Sequence, residues 1–268
     1  MSKNCCMHST ILKKSVLVSA IAICAALYAI GAYATAYIPS PWGRGQFRPA
    51  IIIPVVFATI FGPFVGAVGG AIGTLIADSL KHFEIYLPSL VAAVPGHIVA
   101  LYVYGLIIKK FSWRRFIAAT HLSLLAGNFT TALLYVVFVF GKFLPGLILG
   151  LLIWWYITML PFVILFVPLI IRAISAAFPT LVPEEVKSSS LKRELPSKEF
   201  VASLAIPGVL MLIMGVLIFI SPEVMGFFLP GSFSKYRNIV GELLKTMFIV
   251  TGGANVAGAL LFSKFFSK

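Results

Sequence analysis

The sequence predicts an all-α integral membrane protein, and three observations carry that prediction. Of the 268 residues, 60% are hydrophobic and only 11% charged, where a soluble domain has about 25% charged residues. The mean hydropathy is +1.04, too apolar to build a water-facing surface. The apolar residues also come in unbroken blocks, each about as long as a helix crossing roughly 30 Å of hydrocarbon. They do not form the alternating segments of about ten residues that a membrane barrel needs.

Eight candidate spans follow in order: 15–38, 49–62, 64–80, 88–108, 117–140, 147–171, 201–220 and 247–263. Lys13 and Lys14 precede the first, and Ala34-Thr35-Ala36 near its end resembles a cleavage site. The run between them exceeds the roughly 7–15 residues of a signal h-region, so it reads as a spanning helix. The second and third are short and separated only by Gly62-Pro63, with a further proline at Pro54. Such prolines break or kink a helix, and neighbouring helices then satisfy the freed backbone groups. Two short spans and one broken, re-entrant element both fit. The charged stretch "PEEVKSSSLKRELPSKE" reads as a solvated linker. It divides the chain into a six-helix core (1–172), the linker (173–200) and a two-helix extension (201–268). The segment Glu223–Lys245 is long enough for an interfacial helix or a cap.

Charge sets the expected orientation. With the N-terminus inside, fourteen of the twenty-one lysines and arginines fall on inner segments and seven on outer ones. That bias places both termini in the cytoplasm of a multi-pass protein of the cell membrane. It also explains the net charge of +13 without nucleic acid. Cys5, Cys6 and Cys24 form no C-x-x-C pair and no metal spacing. The chain has no phosphate loop, no H-E-x-x-H and no G-x-S-x-G. The expectation is therefore no catalytic residue, no metal and no cofactor.

What polar chemistry remains is concentrated. The stretch "PSPWGRGQFRP" (39–49) lies between the first two spans and carries Trp42, Arg44, Gln46 and Arg48. Gly43 and Gly45 let it bend, and Pro49 stands where a helix begins. Asp78 sits near the outer end of the third span. It is either a ligand contact or a helix-end carboxylate beside Lys81 and His82. His97 and Asn128 lie near the middle of the fourth and fifth spans, as pocket groups or interhelical hydrogen-bonding residues. Asn128 is the stronger pocket candidate, because Thr130 and Thr131 cluster with it. Trp154 and Trp155 offer rings for a flat heterocycle, or for packing and an interfacial belt. Glu84 lies in a second outer loop. Small residues repeat every fourth position in the first helix, as Ala22/Ala26, Ala25/Ala29 and Ala32/Ala36. Such stripes let another helix approach closely.

These residues resemble a known family. The pattern P-x-x-F-A-x-x-F-G-P-x-x-G-A-x-x-G-x-x-G runs from Pro54 to Gly73. With six helices and an alanine-rich first helix, it is similar to the substrate-binding S components of energy-coupling-factor (ECF) vitamin transporters. The likeness spans about residues 11–172. It implies an S-component-like bundle with two additional C-terminal transmembrane helices. It implies capture of a water-soluble vitamin or precursor from outside, and delivery through a coupling membrane subunit driven by two ATPase subunits. Trp42, Arg44, Gln46, Arg48, Asp78, Glu84, Asn128, Trp154 and Trp155 are then the expected substrate contacts. Ala22, Ala25, Ala26 and Ala29 are the expected partner contacts. The alternatives are a membrane enzyme or assembly factor handling a lipid or isoprenoid, and a stand-alone secondary transporter. Against the last, the chain has no evident internal repeat and little intramembrane charge.

Overall fold

The computed structural model describes residues 14–189, 196–229 and 237–266. Lys3, Cys5, Cys6, His8, Lys13, Lys192, Arg193, Lys235 and Lys268 lie outside the described residues. Among the described residues ten α-helices run in order: α1 (Lys14–Ala34), α2 (Ile52–Phe61), α3 (Pro63–His82), α4 (Val94–Ile107), α5 (Trp113–Leu134), α6 (Pro145–Ala177), α7 (Glu184–Ser188), α8 (Ser197–Ile220), α9 (Pro222–Phe228) and α10 (Arg237–Phe266). The described residues contain no strand beyond a single bridge between Pro39 and Gln46. Seven helical stretches among the described residues are long and apolar enough to cross a membrane.

The exception is the second of the eight expected spans. With the 3₁₀ turn Pro49–Ile51 ahead of it, this segment is about 20 Å long, too short to qualify. It is not re-entrant, however. It starts beside the C-terminal end of α3, where Arg48 reaches Thr74 and Asp78. It ends at Gly62, whose φ of +96° turns the chain straight into Pro63, and Pro63 packs on Gly105 at the far end of α4. The segment therefore runs the length of the bundle inside it, touching α1, α3, α4 and α6. Pro54, Val55, Val56, Ala58, Thr59 and Ile60 are all buried. A helix enclosed by others need not match the thickness of the bilayer.

Glycines set the helix spacings. Gly69 meets Cys24 and Gly73 meets the Ala25 carbonyl and Tyr28, which presses α3 against α1. This corrects half of the expected partner stripe. Ala25 and Ala29 are each only 4% exposed because they face α3, whereas Ala22 and Ala26 face outward. Around them Val18, Ile23, Leu27 and Ile30 form an open apolar face.

The last two long helices, α8 and α10, pair closely around Gly208 and Gly252. They rest on the α5–α6 side, where Phe200 stacks between Phe116 and Phe262 at 6.1 and 5.0 Å. Their buried residues belong to the same apolar core as those of the first six helices. Helix α7 docks the linker on the end opposite residues 39–48: Glu185 accepts from the Phe111 amide at 3.2 Å, and Arg172 donates to the Lys187 carbonyl at 3.0 Å.

Helices α4 and α5 meet at Gly96 and Gly127. A Cβ at Gly96 would lie 1.9 Å from Thr131 Oγ1 and 2.8 Å from the Gly127 carbonyl. Gly96→Val is therefore expected to destabilise the bundle by roughly 1–3 kcal/mol or more through overpacking. Thermal unfolding in detergent checks this, with Gly253→Ala as the tolerated control, since nothing lies within 4 Å of its Cβ position.

Candidate functional site

Two helix ends are locally widened. Ser89–Ala93 forms a π-helical turn before α4, and Tyr135–Val139 forms one after α5. Such turns rotate side chains out of the regular register and recur at functional sites. Here they aim Ser89 and Tyr135 into one cavity, with the 39–48 loop above it and α6 closing its side. The cavity and its open mouth hold about 830 Å³ of unfilled space.

At its base lies a buried ionic network. Arg48 and Asp78, each about 6% exposed, form a salt bridge. Arg48 also donates to Thr74 Oγ1, and Gln46 Nε2 donates to Asp78. Ser89 Oγ donates to the other carboxylate oxygen at 2.6 Å. Asp78 thus has partners from the loop and from the start of α4, as a charge removed from water requires. Lys81 Nζ closes the shell, donating to the Ala36 carbonyl at 2.6 Å and to Gln46 Oε1 at 3.2 Å.

Below the ion pair, His97 Nδ1 donates to the Ala93 carbonyl at 2.8 Å. Its Nε2 then accepts from the Tyr28 hydroxyl at 2.6 Å. That arrangement fixes a neutral tautomer. The walls are aromatic. His82 and Tyr86 stack with parallel rings 3.7 Å apart, while Tyr135 and Trp155 face the same space. Burial, reinforced by the neighbouring Tyr135 hydroxyl, pushes the Tyr86 phenol up to about 12, so it stays a neutral hydrogen-bonding group. Asn128 is buried at the cavity edge, where its Nδ2 approaches Met159 Sδ at 4.0 Å.

Arg44, Gln46, Arg48, Asp78, Asn128 and Trp155 all line this cavity. Arg44 sits exposed at the rim over the Phe140 ring at 5.7 Å. Trp155 reaches the loop, donating to the Gln46 carbonyl at 3.1 Å. Three expected contacts are not on the lining. Trp42 turns away into a slot at Gly150 and donates to the Phe228 carbonyl at 2.8 Å. Trp154 is buried in the core outside the cavity. Glu84 is exposed, beside an apolar depression formed with Tyr33 and Leu80. The sequence reading missed Thr74, Tyr86, Ser89, Tyr135 and Met159. Thr74 was findable, because it lies one helical turn before Asp78 on the same face. Ser89 and Tyr135 were not, since their directions depend on the π turns.

A family model described as ECF-type riboflavin transporter, S component, matches residues 13–176. No curated protein and no solved structure matches the chain.

Replacing one member of the buried pair leaves the other charge uncompensated. Arg48→Ala is expected to cost about 3–5 kcal/mol of stability, while Arg48→Met combined with Asp78→Leu recovers much of it. Comparing unfolding of the single and double variants in detergent measures the difference. A fully tolerated single change would contradict the buried pair.

Proposed function

The chain belongs to the ECF-type riboflavin transporter S component family, and on that footing we propose that it captures riboflavin, or a closely related neutral flavin, in this cavity. It is a transporter subunit and not an enzyme. The observation that carries the reading is the pairing of the Asn128 amide on the cavity wall with aromatic rings over an internally neutralised ion pair. Trp155, Tyr135 and the His82–Tyr86 stack suit the flat faces of a tricyclic heterocycle. Asn128 offers a donor and an acceptor to the heterocycle's edge, and Thr131, Ser89 and Lys81 suit a polyol chain. Because Asp78 already balances Arg48, the floor of the site favours a ligand without net charge.

The cavity opens to the outside in this reading. Among the described residues, nine lysines and arginines lie toward the end opposite the cavity and six toward the cavity end. The positive-inside bias then puts the start of α1 and the end of α10 in the cytoplasm. Delivery proceeds by docking on a coupling membrane subunit powered by two ATPases. The surface offered is the outward half of α1 with Ala22 and Ala26. Helices α8 and α10 rest on the α5–α6 side and leave that surface open.

Titrating the purified full-length protein with riboflavin and following flavin fluorescence tests the capture role. Saturable quenching at one flavin per chain is expected, because stacking on Trp155 and the tyrosines quenches the ring. Asn128→Ala is expected to weaken binding roughly tenfold. Absence of any quenching or retention by the wild-type protein would overturn the reading.

The docking surface has its own test. Ala22→Leu with Ala26→Leu is expected to abolish riboflavin uptake by cells carrying the coupling module while leaving flavin binding intact. Unimpaired uptake would move the docking face elsewhere.

A further inference from the structure

The C-terminal extension holds one contact that the capture role leaves unexplained. Trp42 stands in the middle of the loop that roofs the cavity, yet its ring is 3% exposed and turned away from the ligand space. It fills the slot left by the missing side chain of Gly150, where a Cβ would come within 2.4 Å of the indole. Its Nε1 donates to the Phe228 carbonyl at 2.8 Å. That acceptor is held in place. The Phe228 ring is 2% exposed and lies edge-on to Phe248 of α10 at 5.8 Å. The Phe227 carbonyl sits hard against α6 at Gly146, 1.7 Å from where a Cβ would be. Ser221 caps α9, accepting from the Val224 amide at 3.3 Å.

On its other side the same loop is tied to α3 by Gln46 and Arg48, and to α6 by Trp155. Within itself it is closed by Gly43 N–H to the Ser40 carbonyl at 2.8 Å and Phe47 N–H to the Ile38 carbonyl at 2.9 Å. The loop is thus a small rigid flap with anchors on two sides, and the outer anchor belongs to the extension.

We propose that the C-terminal extension is the outer anchor of the cavity's roof. Trp42 is a positioning residue that couples opening of the roof to the corner formed by α6, α9 and α10. The kinetic part of this rests on the capture reading. Because Trp42 lies off the lining, weakening the anchor changes how often the roof opens and leaves the closed cavity as it was. Flavin entry and release then both accelerate while affinity stays near wild type. A change in the cavity wall would instead act mainly on affinity.

Two variants of the full-length protein address the anchor from opposite sides. Trp42→Phe keeps a ring in the slot and removes the donor. Gly146→Ala pushes the Phe227–Phe228 backbone away from α6. In ligand-free protein, hydrogen exchange of the Ser40, Gly43 and Phe47 amides is expected to accelerate about fivefold in each variant. The double variant should exceed neither single one by much, since both break one contact. In stopped-flow flavin quenching, association and dissociation should both rise by a similar factor. Wild-type exchange in both variants, fully additive effects, or a changed dissociation rate alone would overturn the anchor. If the wild-type protein bound no flavin, the capture reading would fall, and the exchange measurement would still decide the anchor.

Discussion

The buried contact between Arg48 and Asp78 organises the cavity end of the molecule. Two opposite charges placed in an apolar bundle are costly unless each is fully hydrogen-bonded. Satisfying them brings together pieces that are far apart in sequence. Gln46 and Arg48 arrive from the loop after α1, Thr74 and Asp78 from α3, and Ser89 from the wide turn before α4. Lys81 adds the end of α1 by holding the Ala36 carbonyl. Without the pair the loop would keep the hydrogen bonds made through Trp42, Trp155 and Lys81, but lose the buried charge that ties it to α3.

The same constraint shapes the helices around it. Helix α2 must begin where Arg48 is anchored and must also cross to Gly62, so it lies inside the bundle instead of facing lipid. Its neighbours then approach closely, and glycine or alanine fills the contact positions: Gly66 against Ala58, Gly70 against Pro54 and Leu101, Gly105 against Pro63. The π turns at Ser89–Ala93 and Tyr135–Val139 add one more adjustment. They let α4 and α5 keep tight packing at Gly96 and Gly127 while their outer ends open into a cavity. Close contact at mid-height and space at one end are both required of a binding bundle, and the turns separate the two demands along the helix.

This division marks what the sequence made legible. The presence and order of the long helices were readable because apolar length and charged punctuation are one-dimensional signals. The Pro54–Gly73 pattern was readable as family resemblance for the same reason. Helix ends were not: α10 starts ten residues before the expected span (237 against 247) and α6 ends six after it (177 against 171). Facing was not readable. In water, an apolar stripe points to the core, but in lipid both the core and the outside are apolar, so Ala22, Ala25, Ala26 and Ala29 of α1 look alike until α3 is placed. That is why Ala25 and Ala29 turned inward while Ala22 and Ala26 did not. Within the loop, Trp42, Arg44, Gln46 and Arg48 were grouped together as expected substrate contacts. The slot at Gly150 drew Trp42 the other way, and a cavity made by an absent side chain a hundred residues on leaves no mark in the local sequence. Asp78 and Arg48 were both identifiable as unusual, but their pairing required the hairpin of α2 and α3.

The two anchors of the roof differ in kind, and the difference suits a capture subunit. The inner one is a cluster of charge-assisted hydrogen bonds inside the bundle, and breaking it would expose a buried charge. The outer one is a single neutral hydrogen bond and a ring in a slot, both of which can be lost and remade without uncovering an ion. If the roof opens as proposed, the weaker outer anchor would release first while the Arg48–Asp78 end holds. A protein docked on the open face of α1 would then sense the cavity through α3, which carries Asp78 and Thr74 on one side and packs on Ala25 and Tyr28 on the other.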